Sequence, residues 1–578
     1  MNKTVLKRFL GYLKPYRFVV IMVLIVSFIS VVLDVQLPKI LGNATTLISN
    51  SFIESNYTSV DIAGVFEIGK LLAILYVLAA GLNFLGKYFM SRVSSDIIYR
   101  LQKEIDEKFT RLPVRYFDEQ SRGDLLSRAT NDIQTIDDSF SQVSVQFFTT
   151  VLTFIGIIIM MFTISIPLAI VGIPLSMFAV GMIGKKSAAS FASRQETTGT
   201  INGYIEEYYA GHDIVNAFNY EDRSEKAFSK LNDELYEHSW KATFFAGLMQ
   251  PISRLINNVV YVFVAIIGGF LATGGMITIG GIQAILQYMQ NISQPMGEAA
   301  NMMGLTQSML AAAERIFELL DAEEMEEETG KPAFPEVRGD VTFKHVSFGY
   351  TPEVQLMKDL NIDVKAGETV AIVGPTGAGK TTVINLLMRF YDITGGAIEI
   401  DGHNIQDYTK ESLRSKVGMV LQDTWLFKGT IRENIRYSRQ DATDEEVVAA
   451  AKQAFADDFI RKLPKGYDTV ITEESDNISQ GQKQLLTIAR AILASPSVFI
   501  LDEATSNVDT RTEVEIQKAM DHIMTNKTSF VIAHRLSTIR NANKILVMQK
   551  GDVIEQGSHD ELISQNGFYA GLYRAQFE

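Results

Sequence analysis

Residues 374–381 read GPTGAGKT and lie between an apolar strand and a helical run, predicted at Val370–Val373 and Thr382–Phe390. Glycines let backbone N–H groups wrap closely around an anion, and a helix N-terminus adds partial positive charge. Lys380 can reach the outer phosphates of a nucleotide, and Thr381 can ligate Mg²⁺. The strand–loop–helix order favours a phosphate loop over a chance glycine-rich turn. Its candidate binding residues are Gly374, Thr376, Gly377, Ala378, Gly379, Lys380, Thr381 and Thr382.

The second motif is acidic: Asp502 and Glu503 follow directly after the apolar strand Val498–Leu501. Asp502 can hold Mg²⁺ through water, and Glu503 is placed to polarise an attacking water. By itself a strand followed by two acids is more often a solvated strand end. Paired with the phosphate loop, the motif indicates nucleotide hydrolysis.

The elements around these motifs predict an α/β domain from residue 340 to the end. Short β-rich runs alternate with helical patterns, which is typical of a parallel sheet. An acidic and Pro-containing stretch, residues 321–339, precedes them and is interpreted as a linker. The predicted strands include Val341–Val346, Thr369–Val373, Val417–Leu421, Ser497–Leu501, Thr528–Ala533 and Lys544–Gln549.

Residues 1–320 are predicted to form a helical membrane domain. Apolar residues make up 47% of the chain, and several runs approach the ~20 residues that cross a bilayer. The first is interpreted as a retained helix, because its apolar core is longer than that of a signal peptide. The last two spans are short and are predicted from their position as a pair. The six predicted spans are Phe18–Leu41, Leu71–Phe89, Val143–Phe162, Ile164–Ile183, Val259–Ala272 and Ile277–Tyr288.

Charge sets the expected topology and excludes some functions. Lys and Arg are absent from the Gly42–Gly69 loop but frequent in Arg92–Asp138 and Lys185–Lys241, which predicts cytoplasmic termini. The net charge of −14 argues against nucleic-acid binding. The absence of cysteine excludes disulfides and thiolate chemistry.

Residues 478–482, here called the signature segment, read ISQGQ and open a helical run, Lys483–Leu493. With the phosphate loop, this segment resembles the ABC transporter family, whose signature reads LSGGQ. The resemblance implies that Ser479, Gln480, Gly481 and Gln482 of one chain close the ATP bound by another. It also implies roles for five further sites. Tyr350 would stack on adenine, Gln422 would sense the γ-phosphate and the membrane domain, and His534 would contact the γ-phosphate. Glu473 would be the acid of the loop before the signature, and Ser506–Asp509 would signal across the dimer.

Two cytoplasmic segments extend the resemblance to the membrane half. Residues 112–132 and 206–222 resemble the two coupling segments of ABC exporters, which dock on nucleotide domains. The expected fold is therefore multidomain: an all-α, six-helix transmembrane domain of the exporter type, then an α/β P-loop nucleotide-binding domain. Hydrolysis would be catalysed by Glu503, His534 and Gln422, with Mg²⁺ held by Thr381, Gln422 and Asp502.

Gln480 departs from the family pattern, because it replaces the first signature glycine. A glutamine side chain should crowd or re-aim the contact with phosphate. The dimer loop also reads SNVD rather than SALD, while Glu503 is retained. These features resemble one subunit of a heterodimeric exporter with one degenerate ATP site. A homodimeric lipid flippase or multidrug exporter is the alternative.

Polar residues in the predicted spans mark a candidate transport pathway. Asp34 lies in the first span, where it either lines a cavity or reaches external water. Gln283, Gln287, Gln290 and Gln294 recur at helical spacing, with Asn291 beside them. They either line a pathway or form an interhelical hydrogen-bond seam. Arg254, Asn257 and Asn258 carry the same two interpretations.

The resulting expectation is an ATPase that exports hydrophobic or amphipathic compounds, drugs or lipids, across a bacterial plasma membrane. Gln, Met and aromatic residues in the spans offer an adaptable binding surface. The expected partners are a second half-transporter, the bilayer and a hydrophobic small molecule. A membrane-tethered ATPase without transport is disfavoured by the coupling-like segments, and an importer by the fused domain order.

Overall fold

A computed structural model defines the fold and divides the chain into two compact units. The first unit comprises Met1–Arg111 and Gln120–Glu323, and the second comprises Leu112–Glu119 and Glu324–Glu578. The second unit thus includes a segment from the part of the chain predicted as membrane domain, as well as much of the predicted linker. The structure describes residues 3–56, 58–351, 353–421, 424–472, 478–502, 509–533 and 536–577.

Long helices build the first unit. Helix α3 has 50 residues and α9 has 53, so each exceeds the ~20 residues that a bilayer requires by about 30 residues, or ~45 Å. The helices up to residue 321 are α1 (Lys3–Gly11), α2 (Arg17–Glu54), α3 (Ile62–Arg111), α4 (Val114–Glu119), α5 (Arg122–Ser127), α6 (Ile133–Ile164), α7 (Ile166–Ala210), α8 (His212–Ala217), α9 (Glu221–Thr273), α10 (Ile279–Asn291) and α11 (Ser293–Asp321). Of these, α4 belongs to the second unit.

The six predicted spans fall on helices α2, α3, α6, α7, α9 and α10, apart from one or two residues at their ends. Three helical stretches among the described residues are long and apolar enough to cross a membrane: Lys14–Glu54, Ile62–Arg111 and Arg122–Ile164. The stretch Asn258–Thr273 is apolar but shorter. It coincides with the fifth span, which the sequence predicted from its position rather than its length.

The second unit is an α/β domain, as predicted. Its strands are β1 (Val341–Phe348), β2 (Met357–Val364), β3 (Thr369–Val373), β4 (Gly395–Ile400), β5 (His403–Asn404), β6 (Val417–Val420), β7 (Gly429–Thr430), β8 (Val470–Ile471), β9 (Val498–Asp502), β10 (Thr528–Ile532), β11 (Lys544–Gln549) and β12 (Asp552–Gly557). Its helices are α4, α12 (Lys380–Leu387), α13 (Lys410–Arg414), α14 (Ile431–Arg436), α15 (Asp444–Gln453), α16 (Asp457–Lys462), α17 (Gln480–Ala494), α18 (Thr510–Met524), α19 (Leu536–Asn541), α20 (His559–Ser564) and α21 (Phe568–Phe577).

The central sheet of this unit has the strand order β12-β11-β3-β10-β9-β6 and is parallel except for β12. The inner strands are apolar and buried on both faces, which is typical of a parallel sheet covered by helices. Because the strands are parallel, their carboxyl ends meet at one edge, where ligands bind in open α/β sheets.

One strand prediction is wrong in its sheet. The run Val341–Val346 was expected in the parallel sheet, but β1 belongs to a separate antiparallel sheet of order β2-β1-β4-β5. The alternation of buried and exposed side chains along β1 and β2 is the physical reason, since antiparallel sheets bury one face more than the other.

Candidate functional site

The strands that precede the predicted catalytic residues end at the same carboxyl edge of the central sheet. Strand β10 lies between β3 and β9, and Ile532 pairs with both Ile372 and Asp502. The phosphate loop follows β3, and Asp502 is the last residue of β9. Four neighbouring strands, β3, β10, β9 and β6, therefore deliver segments that are 30 to 160 residues apart in sequence to one edge.

The phosphate loop has the backbone that its glycines predict. Gly374 has φ of 153°, and a Cβ there would lie 2.3 Å from the Met548 carbonyl oxygen. Gly379 has φ of 99° and is the N-cap of α12. Thr376, Gly377 and Thr381 are exposed, whereas Ala378 and Thr382 are buried. The loop thus presents the first turn of α12 to a bound anion.

Lys380 is folded back on the phosphate loop. Its Nζ donates to the Gly374 carbonyl at 2.8 Å and to the Pro375 carbonyl at 3.1 Å. Burial lowers the pKa of Lys380, while the charge of Asp502 opposes that shift. An arriving phosphate would replace two neutral acceptors by charged oxygens, which form stronger hydrogen bonds.

Tyr350 stands beside the loop in an aromatic cluster. Its hydroxyl is 3.0 Å from Thr382 Oγ1, and its ring lies 5.0 Å from each of the Phe348 and Tyr391 rings. Tyr391 also donates to Asp118 Oδ2 at 2.5 Å, and burial raises the pKa of the Tyr391 phenol. Asp118 lies on α4, within the first coupling-like segment. Sequence reasoning missed this link, because 273 residues separate Tyr391 from Asp118.

The signature segment begins α17 with a reciprocal cap. Ser479 N donates to Gln482 Oε1 at 3.0 Å, and Gln482 N donates to Ser479 Oγ at 3.3 Å. Gly481 is buried, whereas Gln480 is exposed. Gln480 Nε2 donates to Thr424 Oγ1 at 2.9 Å, so its side chain is directed to the loop after β6. Thr424 is a second residue that the sequence did not single out.

The remaining predicted site residues are placed only in part. Asp509 caps α18, accepting hydrogen bonds from the Arg511 and Thr512 backbone, and the Thr512 bond lowers its pKa. Gln422, Glu473, Glu503, Ser506–Val508 and His534 lie outside the described residues.

The donor chemistry at the sheet edge fits Mg²⁺. Thr381 offers an exposed hydroxyl and Asp502 a carboxylate, and Mg²⁺ prefers such hard oxygen ligands together with waters and substrate phosphates. Among the described residues no cluster of three His, Cys, Asp or Glu side chains could hold a metal by itself.

A polar cavity of about 420 Å³ lies inside the membrane unit, between α2, α3, α6, α10 and α11. Glu298 accepts hydrogen bonds there from Gln146, Thr150 and Gln294, at 2.8, 2.9 and 3.0 Å. Lys87 also lines the cavity and forms no ion pair with the residues that the structure describes. The polar lining residues are Asp34, Asn83, Lys87, Gln146, Thr149, Thr150, Thr153, Gln287, Asn291, Gln294 and Glu298.

The four regularly spaced glutamines from Gln283 to Gln294 do not all fit one of the two interpretations, a pathway lining or an interhelical seam. Gln287, Gln294 and the adjacent Asn291 line the cavity. Gln283 instead accepts a hydrogen bond from Thr45 of α2, as expected for an interhelical seam. Gln290 is exposed. On α9, Arg254 and Asn258 are exposed, and the Asn257 side chain lies outside the described residues.

Comparison with known proteins agrees with both halves of this arrangement. Residues 20–296 match the family model described as ABC transporter transmembrane region, and residues 357–506 match the one described as ABC transporter. The chain belongs to the ABC transporter family. It is an exporter-type half-transporter whose nucleotide-binding domain binds ATP and couples ATP hydrolysis to transport, so the predicted fold class and ATPase activity are confirmed.

Relatives of this ABC half-transporter span nearly the whole chain. A fatty acid ABC transporter ATP-binding/permease protein of Mycobacterium bovis is 41% identical over 98% of this chain and 96% of its own. An ABC transporter ATP-binding protein of Bacillus subtilis is 41% identical over 100% of this chain and 95% of its own length. An ATP-dependent lipid A-core flippase of Syntrophus aciditrophicus is 33% identical over 88% of this chain and 85% of its own length.

Proposed function

We propose that this half-transporter exports hydrophobic or amphipathic compounds, lipids among them, across the plasma membrane. The observation that carries the proposal is the polar, partly open cavity lined by membrane helices. Its volume of about 420 Å³ suits a headgroup rather than a whole lipid. The names of two relatives, a fatty acid transporter and a lipid A-core flippase, favour lipids over other amphiphiles.

The cavity offers both signs of charge to a headgroup. Lys87 supplies an ammonium, while Asp34 and Glu298 supply carboxylates. Glu298 is held by three hydrogen bonds, and Lys87 is the cavity's cation, so Lys87 would bind an acidic group of the substrate. Apolar chains of the substrate can lie along α3, whose Ile74, Val77 and Phe84 are exposed.

The chain is proposed to act with a second, different half-transporter. Gln480 in the signature segment supports this, because the ATP site that it closes would differ from one closed by glycine. The partner would supply an unaltered signature to Lys380, Asp502 and Glu503, with Mg²⁺ held by Thr381, Asp502 and Gln422. Both termini would be cytoplasmic. A homodimeric flippase or multidrug exporter is the competing assembly.

Transport into proteoliposomes tests the substrate class. The full chain, with its partner where one is found, is reconstituted, and ATP-dependent movement of a labelled fatty acid and of a labelled phospholipid is measured. Lys87→Ala should weaken transport of at least one of them several-fold. Lys70→Ala is the matched control on the same helix, because Lys70 pairs with Glu67 outside the cavity. ATPase activity without movement of any amphiphile would refute export.

A further inference from the structure

The Gln480 side chain joins the start of α17 to the segment that follows β6. It is the first residue of α17, and its amide donates to Thr424 Oγ1 at 2.9 Å. Thr424 lies two residues after Gln422, in the loop that follows β6. Glycine, the family residue at this position, has no side chain with which to make such a bond.

The rest of this loop is fixed to α17 by stronger means. Asn434, which is buried, exchanges hydrogen bonds at 2.9 Å with the backbone N–H and carbonyl of Phe427. Arg490 donates to the Trp425 carbonyl at 3.2 Å and to the Asn434 carbonyl at 2.9 Å. In contrast, the Gln480–Thr424 contact is one exposed, neutral hydrogen bond. It is therefore the contact that a competing ligand can break while the anchor at Arg490 stays.

Phosphate is such a competitor. An amide N–H bonds more strongly to a charged phosphate oxygen than to a neutral hydroxyl. Gln480 also sits in the first turn of a 15-residue helix, where anions are attracted. In an ABC dimer the signature segment faces the nucleotide of the opposite chain, so the same amide has two alternative acceptors.

We propose that Gln480 is a switch residue that exchanges Thr424 for the phosphate of ATP bound by the opposite chain. The exchange releases Thr424 from α17 and loosens the described segment from Thr424 to Trp425. A signature segment that lacks its first glycine would then keep a role. Through Gln480 it would communicate whether the opposite chain has bound ATP to the segment after β6, which serves this chain's own ATP site. The proposal rests on the proposed dimeric arrangement, and Gln480 acts in it as a positioning residue.

Trp425 provides a direct readout. It adjoins Thr424, is exposed, and is one of only two tryptophans in the chain, the other being Trp240. In a Trp240→Phe background, acrylamide quenching of Trp425 is measured on the full chain in lipid nanodiscs, with and without a non-hydrolysable ATP analogue. Binding of a fluorescent ATP analogue is measured in parallel.

Four variants separate the switch from a merely structural bond. The parent should show a quenching change when nucleotide binds. Gln480→Ala and Thr424→Ala should show the nucleotide-bound quenching value at all times, and the double variant should match either single one. Gln480→Glu keeps an acceptor for the Thr424 hydroxyl but repels phosphate, so it should remain at the nucleotide-free value. Gln453→Ala, at the exposed end of α15, is the control and should behave like the parent.

The outcomes distinguish this proposal from the function on which it rests. If the parent binds nucleotide without a change at Trp425, or if Gln480→Glu and Gln480→Ala shift quenching in the same direction, the switch is refuted. If the chain forms no dimer, alone or with its partner, the proposed dimeric arrangement fails and the switch fails with it.

Discussion

Lys380→Ala removes the one cation of the phosphate loop. Its ammonium rests on the Gly374 and Pro375 carbonyls at 2.8 and 3.1 Å, so it is already oriented into the loop before phosphate arrives. With ATP bound, the same ammonium would bond to charged oxygens. Alanine leaves the backbone of the loop in place and deletes only that counter-charge.

The expected loss follows from the number of bonds that the ammonium makes. Two hydrogen bonds to charged groups contribute about 1.5–3 kcal/mol each, so about 3–6 kcal/mol of transition-state stabilisation is lost. That energy corresponds to about a 10²–10⁴-fold fall in turnover. The unfolding temperature should change little, because Lys380 holds only two carbonyls at the domain surface.

ATP turnover at saturating Mg²⁺ and ATP is the assay, with thermal unfolding measured on the same samples. Lys344→Ala is the control, since Lys344 pairs with Glu399 in the antiparallel sheet, at 2.6 Å. Turnover within twofold of the parent would refute the phosphate-loop assignment. An equal loss in the Lys344 variant would show that the effect is not specific to the loop.

Three further predictions concern other parts of the chain. Glu503→Gln should reduce steady-state ATPase about 10²–10⁴-fold, because the attacking water loses its polarising carboxylate. Ser479→Ala should cost much less, since it affects the site altered by Gln480; equal losses would contradict the heterodimer. Gln287→Ala should change the transport ratio of two amphiphiles while basal ATPase activity persists. If the variant instead fails to fold or to form the transporter, the glutamines act as an interhelical hydrogen-bond seam. Gly280→Ala should lower the unfolding temperature, because its Cβ would lie 1.6 Å from a carbonyl oxygen of α2; an unchanged melting curve would disprove that close packing.

Local motifs were the predictable part of this molecule. The phosphate loop consists of eight consecutive residues, and the strand and helix beside it are adjacent in the sequence, so the whole motif can be recognised locally. The first membrane helices were equally accessible, because hydrocarbon imposes a long apolar run on them, whereas the last two spans were predicted only from their position as a pair. Gln480 was identified as unusual from the sequence alone, since only the family pattern is needed to see that glycine is missing.

Long-range partners were not predictable from the same information. The contact of Gln480 with Thr424 spans 56 residues, and that of Tyr391 with Asp118 spans 273. Neither pair has a periodicity or spacing that marks it. Strand β2 was missed for a related reason: its exposed residues Lys358, Asp359 and Asp363 leave no continuous apolar run in the sequence, and its partner β1 lies in the antiparallel sheet rather than in the parallel sheet that was expected.

The position of helix α4 determines whether the two units stay together after a protease cuts the chain once between them. It is enclosed in sequence by the first unit, between Arg111 and Gln120, yet it belongs to the second. The polypeptide therefore passes between the units three times, so a single cut in residues 324–339 would leave two passages intact. Such a nicked chain should copurify as one particle in mild detergent, and it should separate into two fragments only under denaturing conditions.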